Sequence, residues 1–391
     1  MSSFRLKIEG DRVIWVMLGI IMLGSFLSVY SASANLAFVY GKVSTTYLLT
    51  KHAMHIFIGL GILYLMHRVP YRFFGPLSIL SVGVSIVLLL VTLKSGQEIG
   101  GANASRWLRV PILGVSLQTS AFAALALLLY LSRSLSKRQS HDWTLKNSWV
   151  IYVPMGIILM LIFPANFSTA ALLFLSCMLV LFVGKYPVKY IGAMVGAGML
   201  AALLFIMTVM LMPNMSNRVD TWKARISNFT SGEPSDNYQV QKAKLAISSG
   251  GVFGQGPGKS IQKNFLPQSS SDFIYAIIVE EYGLIGGISV IAFYLLLWIR
   301  IIRISLRTSS YFGSLTVFAA GFALIFQAFV NMSVAVNIFP VTGQTLPLLS
   351  AGGSSIWVSC MALGIILSIS RDNGIDSEET EGGPIPEVVA S

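Results

Sequence analysis

Ten apolar runs constrain this chain more than any other feature. They fall at 13–32, 47–66, 73–93, 112–132, 148–163, 168–184, 187–212, 273–299, 311–338 and 354–370. An α-helix needs about 20 such residues to cross roughly 30 Å of hydrocarbon, and there it satisfies its backbone polar groups internally. The pattern predicts an all-α polytopic membrane protein of about ten transmembrane helices, with one large extracytoplasmic loop between the seventh and the eighth. Runs five and six are short and separated by Pro164-Ala165-Asn166. One helix over both would hold that proline in its interior, so a tight hairpin is expected. The first run ends in Ser31-Ala32-Ser33-Ala34, which imitates a signal-peptidase site. Its apolar core is too long for an ordinary signal peptide and nine runs follow, so it reads as an uncleaved span.

Composition agrees with the runs. Charged residues make up 11% of the chain, against about 25% in soluble domains, and the mean hydropathy is +0.73. The net charge of +11 does not call for a nucleic-acid partner, because the cations sit in short loops between apolar runs. Those loops orient the bundle. With the N-terminus in the cytoplasm, the inner segments carry fifteen Lys and Arg, and the short outer loops carry five: Lys42, Lys51, Lys94, Arg106 and Arg109. Residues 1–12 are then a cytoplasmic N-terminus, 13–371 the membrane domain with its extracytoplasmic loop at 213–272, and 372–391 a disordered acidic cytoplasmic tail. The expected location is the cytoplasmic (inner) membrane, with both termini inside. Cys177 and Cys360 lie inside apolar runs, so no disulfide is expected.

Within the long loop, Val219, Trp222, Ile226 and Phe229 recur at helical spacing with Arg218, Lys223 and Arg225 between them. That spacing predicts an amphipathic interfacial helix. A second helix is expected from about Asp236 to Ser248, ended by Gly250-Gly251. The stretch 254–283, GQGPGKSIQKNFLPQSSSDFIYAIIVEEYG, then turns abruptly from polar to apolar at Asp272. Gly254-x-x-x-Gly258-Lys259-Ser260 falls one residue short of a nucleotide P-loop, and no strand precedes it. The glycine turn at Gly256 and Gly258, with Ser260, Lys259 and Lys263, can instead offer backbone N–H groups and cations to phosphate. A plain flexible loop is the alternative. Asp272 reads as a helix N-cap, as a functional carboxylate, or as both. Glu280 and Glu281 lie deeper in the same apolar helix, where carboxylates are functional or paired. On the same outer side, Arg106 offers a planar fork for phosphate, and Trp107 suits the headgroup level; interfacial anchoring accounts for both equally well. Residues 337–355, NIFPVTGQTLPLLSAGGSS, break helix repeatedly. They predict a re-entrant element lining a cavity.

Taken together, GGANASRWL (100–108), YQVQKAKLAISSGG (238–251), the 254–287 block and FPVTGQTLPLLSAGGSS (339–355) resemble the SEDS family (shape, elongation, division and sporulation). The likeness spans about residues 10–371 and is nearest the family's division branch. It implies a ten-span peptidoglycan glycosyltransferase that polymerises lipid II outside the cytoplasmic membrane, and it puts the family's essential carboxylate on Asp272. It also implies a class B penicillin-binding protein (a transpeptidase) and other divisome membrane proteins as partners. Lipid II and the growing glycan strand would be the substrates. A divalent cation, Mg or Mn, is the one cofactor such chemistry would use. The chain departs from the family at the start of the fourth span. There the family's Gln-Pro-Ser-Glu, with Lys three residues on, is matched by Gln118-Thr119-Ser120-Ala121 and Ala124. The family's Pro-Asp-Leu-Gly and His-Thr-Asp match Pro164-Ala165-Asn166-Phe167 and Ser270-Ser271-Asp272. Two readings from other classes compete: a lipid II flippase, which needs a polar path through the bundle, and a non-catalytic scaffold for a transpeptidase.

Overall fold

The computed structural model describes residues 9–40, 45–95, 107–110, 115–138, 143–211, 238–266 and 269–374. Helices α1 (Arg12–Tyr40), α2 (Thr45–Arg68) and α3 (Phe74–Ser95) lead to a hairpin of β1 (Trp107–Val110) and β2 (Val115–Gln118). Then come α4 (Thr119–Ser136), α5 (Trp149–Ile162), α6 (Phe167–Val183), α7 (Val188–Leu211), α8 (Tyr238–Gly250), α9 (Ile274–Arg307), α10 (Tyr311–Ala335) and α11 (Ser354–Asp372). Each apolar run overlaps a helix. Seven of these helices are long and apolar enough to cross a membrane, while Trp149–Ile162, Phe167–Val183 and the stretch Val188–Leu204 are shorter. The chain is a multi-pass helical membrane protein.

Local sequence explains the helix ends. The Asn166 side chain accepts from the Thr169 N–H at 3.3 Å and starts α6, so runs five and six do form two helices joined by a short turn. Asp11 accepts from the Ile14 N–H at 3.0 Å and starts α1. Two expectations need correction. The fourth run does not become helical at 112: its segment Val115–Gln118 is a strand, antiparallel to β1 with Trp107 opposite Gln118. The eighth run continues to Arg307 and is not one uninterrupted helix, as described below. The interfacial helix at 219–229, the Asp236 cap, Arg106 and the tail 375–391 lie outside the described residues.

Packing follows two apolar clusters. One joins α1, α2, α8, α9, α10 and α11. The other joins α4, α5 and α6 to the α10 side chains Leu315 and Ala319. The long contacts run between α2 and α11, α3 and α4, and α9 and α10, while α7 packs on α6. Large apolar side chains such as Leu23, Phe57, Leu65, Met160 and Met199 point outward, as lipid-facing surface requires.

Candidate active site

Helix α9 is 34 residues long, about 50 Å at 1.5 Å per residue. It is broken at Gly283, whose φ of 68° and ψ of −166° are non-helical. That conformation is open essentially to glycine alone. The break removes two rungs of the helix ladder, those that would have joined Leu284 and Ile285 N–H to the Glu280 and Glu281 carbonyls. The segment 251–256 takes up all four groups. Gln255 and Gly256 N–H donate to the Glu280 and Glu281 carbonyls at 2.9 Å each, while Leu284 and Ile285 N–H donate to the Gly251 and Val252 carbonyls at 2.9 and 3.3 Å. Backbone lies directly on backbone here. A Cβ on Gly254 would stand 2.2 Å from the Glu281 carbonyl oxygen, and one on Gly283 2.2 Å from that of Val252. Gly254, the first glycine of the turn that read as a phosphate loop, and Gly283 are what let the chain enter the break.

Both glutamates before the break are buried, each 1% exposed. Glu280 accepts from the Ser260 hydroxyl and from the N–H groups of Ile261 at 2.9 Å and Gln262 at 3.1 Å. Glu281 accepts from the hydroxyl of Ser31 on α1 and the Ser260 N–H at 3.4 Å. This corrects the expectation for two residues. Ser260 faces inward and is 4% exposed, and the Gly256 N–H is committed to Glu281; neither presents a donor outward. Gly258, at φ 77°, carries the turn and lends its carbonyl to the half-buried Lys263 ammonium at 2.7 Å. Lys263 also reaches Ser31 Oγ at 3.4 Å, the hydroxyl that donates to Glu281. Lys259 is exposed.

Asp272 is half-buried in the turn just ahead of α9. The helix begins at Ile274 with Phe273 in the cap position and no cap from the Phe273 side chain. Its carbonyl accepts from Asn331 Nδ2 at 2.8 Å, and the same Nδ2 donates to the Gln344 carbonyl at 2.6 Å. Next to it, the Ser271 carbonyl accepts from the Ser350 hydroxyl at 2.5 Å, and the Ser270 carbonyl from the Ala351 N–H at 2.8 Å. The Asp272 turn therefore rests on the irregular segment 342–353, which is largely buried: Gln344, Leu346, Leu348 and Ser350 are each below 9% exposed. Non-helical backbone buried in protein is what the breakers at 340–353 predicted.

Gln344 also lines an open cavity of about 100 Å³ between α4, α6, α10 and α11. Gln118, Thr169, Gln327 and Ser355 line it beside apolar walls, and Gln344 Nε2 donates to Thr169 Oγ1 at 2.5 Å. Ala121 and Ala124, the two departures from the family pattern, face this cavity. Where the family carries an acid and a base, this chain has an uncharged wall with amides and hydroxyls at its rim. Trp107 sits half-buried on β1. Its strand partner β2 is tied to α11 by the Gln118 N–H, which donates to Ser354 Oγ at 2.8 Å. Sequence reasoning singled out Asp272 but not Asn331 or Gln344. Their signal was present, as an amide inside an apolar run and another between two prolines.

Among the described residues, no group of three or more His, Cys, Asp or Glu side chains could hold a metal ion.

Known proteins resemble this chain along most of its length. Residues 11–374 match the family described as "Cell cycle protein", that of FtsW, RodA and SpoVE. The chain is 33% identical over 369 residues to the "Probable peptidoglycan glycosyltransferase FtsW" of Geobacter sulfurreducens, covering 92% of this chain and 95% of that one. It is 34% identical over 375 residues to the protein of the same name from Trichlorobacter lovleyi, covering 94% and 95%. Among solved structures, a chain from a peptidoglycan synthase complex that coordinates polymerization and crosslinking superposes with a TM-score of 0.71 at 25% identity, covering 94% of this chain and 99% of that one. The rod shape determining protein RodA of Thermus thermophilus gives 0.66 at 24%, covering 94% and 98%, which is a likeness of fold.

Proposed function

The chain belongs to the cell cycle protein family of FtsW, RodA and SpoVE, and on that premise we propose that it is a peptidoglycan glycosyltransferase. It polymerises lipid II into glycan strands on the outer face of the cytoplasmic membrane, in cell division, with both termini in the cytoplasm. The observation that carries this reading is the placement of Asp272: a half-buried carboxylate on a turn that one side chain, Asn331, bridges to the cavity-lining Gln344. A scaffold has no use for such an arrangement. The relatives named as glycosyltransferases support the same conclusion.

In this reading the 4-hydroxyl of the GlcNAc in lipid II attacks the anomeric carbon of the MurNAc that ends the growing chain, and undecaprenyl diphosphate leaves. A sugar hydroxyl is a weak nucleophile near neutral pH. Asp272 takes its proton, a service worth roughly 10²–10⁴-fold in rate. The exposed Lys259 and, on the same outer side in the topology expected from the sequence, Arg106 offer positive charge to the departing diphosphate. A divalent cation bound by the diphosphate and Asp272 would neutralise the same charge. The Glu and Lys of the family's fourth span take no part, since alanines stand there. The likeness to a chain of a synthase complex supports a class B penicillin-binding protein as the partner that cross-links the product, with other divisome membrane proteins around it.

The deciding measurement is lipid II polymerisation by purified Asp272→Asn beside the wild type, with the transpeptidase present. Asn keeps the size and removes the basic oxygen. We expect a folded variant at least about 10²-fold slower. Glycan made at the wild-type rate would remove Asp272 from the chemistry. Polymerisation absent from the wild type, with lipid II flipping intact, would favour a transporter.

A further inference from the structure

Burying two adjacent carboxylates costs several kcal/mol each unless donors surround them. Neither Glu280 nor Glu281 lies within ion-pair distance of a cation among the described residues; hydrogen-bond donors take that place. None of those donors comes from α9. Ser260, Ile261 and Gln262 belong to the outward loop, and Ser31 belongs to α1. N–H and O–H groups aimed at an ionised carboxylate make hydrogen bonds about twice as strong as neutral ones. The pair is therefore a joint between three segments, and the loop end of that joint carries Lys259.

The short half of α9, from Ile274 to the break at Gly283, has Asp272 just ahead of one end and the two glutamates at the other. From Asp272 to Glu280 is eight residues, about 12 Å of helix. Residues 273–281 are all buried, so this half is a rigid strut. Whatever fastens the loop to Glu280 also fixes the loop relative to Asp272. The four backbone hydrogen bonds across the break set the position of 251–256, and the carboxylate of Glu280 sets that of 260–262.

We propose that Glu280 is a positioning residue for glycosyl transfer: its buried carboxylate holds the loop 254–263, through Ser260, Ile261 and Gln262, in register with Asp272. Glu281 serves the same joint from the α1 side. This rests on the glycosyltransferase reading for the reaction concerned, while the hold itself is a property of the fold and is measured separately.

The test uses the full chain in nanodiscs. Glu280→Gln keeps the volume but removes the charge and turns an –NH2 toward groups that are themselves donors. Three quantities are read: amide hydrogen exchange over 255–264, the thermal midpoint, and kcat and KM for lipid II with the transpeptidase present. We expect faster exchange at residues 260–263, a thermal midpoint within a few degrees of wild type, and a kcat roughly 10- to 100-fold lower, the scale of a misplaced reacting group. KM should change less than kcat. Glu280→Asp, which restores the charge one methylene short, should recover part of kcat. Wild-type exchange at 260–263 in Glu280→Gln would show that the carboxylate does not hold the loop. A loosened loop with wild-type kcat would show that loop register does not matter to transfer. Either result overturns the proposal. Should Glu280→Gln fail to fold, Ser260→Ala takes one donor from the loop side, leaves the charge in place, and is judged by the same criteria. A wild-type chain that polymerises nothing sinks the glycosyltransferase reading, and the positioning role with it, even where the exchange data show the hold intact.

Discussion

Helix α9 carries buried charge near both ends, and the two ends neutralise it by different chemistry. In its C-terminal half Arg300 pairs with Asp11, which is fully buried and also starts α1. In its N-terminal half Glu280 and Glu281 are met by N–H and O–H groups. An ion pair joins two helices and is indifferent to the backbone between them. A carboxylate taking successive N–H groups fixes the path of the chain that supplies them. The ion pair therefore sets which helices meet, and the carboxylate pair sets the shape of a loop. The Asp272 turn lies at the N-terminal end of α9, where shape matters.

Three changes sharpen this contrast, in falling order of effect on stability. Arg300→Ala leaves the Asp11 carboxylate buried without its cation, which costs about 3–5 kcal/mol. Adding Asp11→Asn, which keeps the cap on α1, should restore most of it. Thermal unfolding of the single and double variants measures this, and additive losses would mean the pair is not coupled. Gly283→Ala should cost roughly 1–3 kcal/mol for the backbone conformation alone. Its Cβ would also push the Val252 carbonyl out of the break, so lipid II polymerisation should fall further than the lost stability explains. Full activity in that variant would show that the inserted segment is dispensable. Ser31→Ala removes one of the donors to Glu281 and should cost about 1 kcal/mol, with the loss confined to exchange protection near the break. A drop in protection along the whole of α1 would instead make Ser31 part of the helix core.

The helices were legible because their signal is local. Runs such as 47–66 and 73–93 are apolar at every turn, and a membrane-crossing segment must satisfy its own backbone. The Pro164-Ala165-Asn166 break announced the turn between runs five and six in the same local way. The breakers at 340–353 announced irregular buried backbone, and Asp272 announced itself as a lone acid at a polar-to-apolar junction.

The sequence alone determined the class of the molecule and the order of its helices, because each rests on the chemistry of neighbours in the chain. Tertiary structure decided what the polar residues do. The glycine turn at 254–258 read as a phosphate cradle, and its first glycine, Gly254, serves with Gly283 as the opening that lets one backbone lie on another. Ser260 read as an outward donor and turns inward to Glu280. The two glutamates read as an expense inside an apolar helix, and their partners come from α1 and from a loop about 20 residues earlier. Nothing local distinguishes these alternatives: the same donors suit a phosphate or a buried carboxylate equally well, and only the three-dimensional path of the chain says which anion they reach.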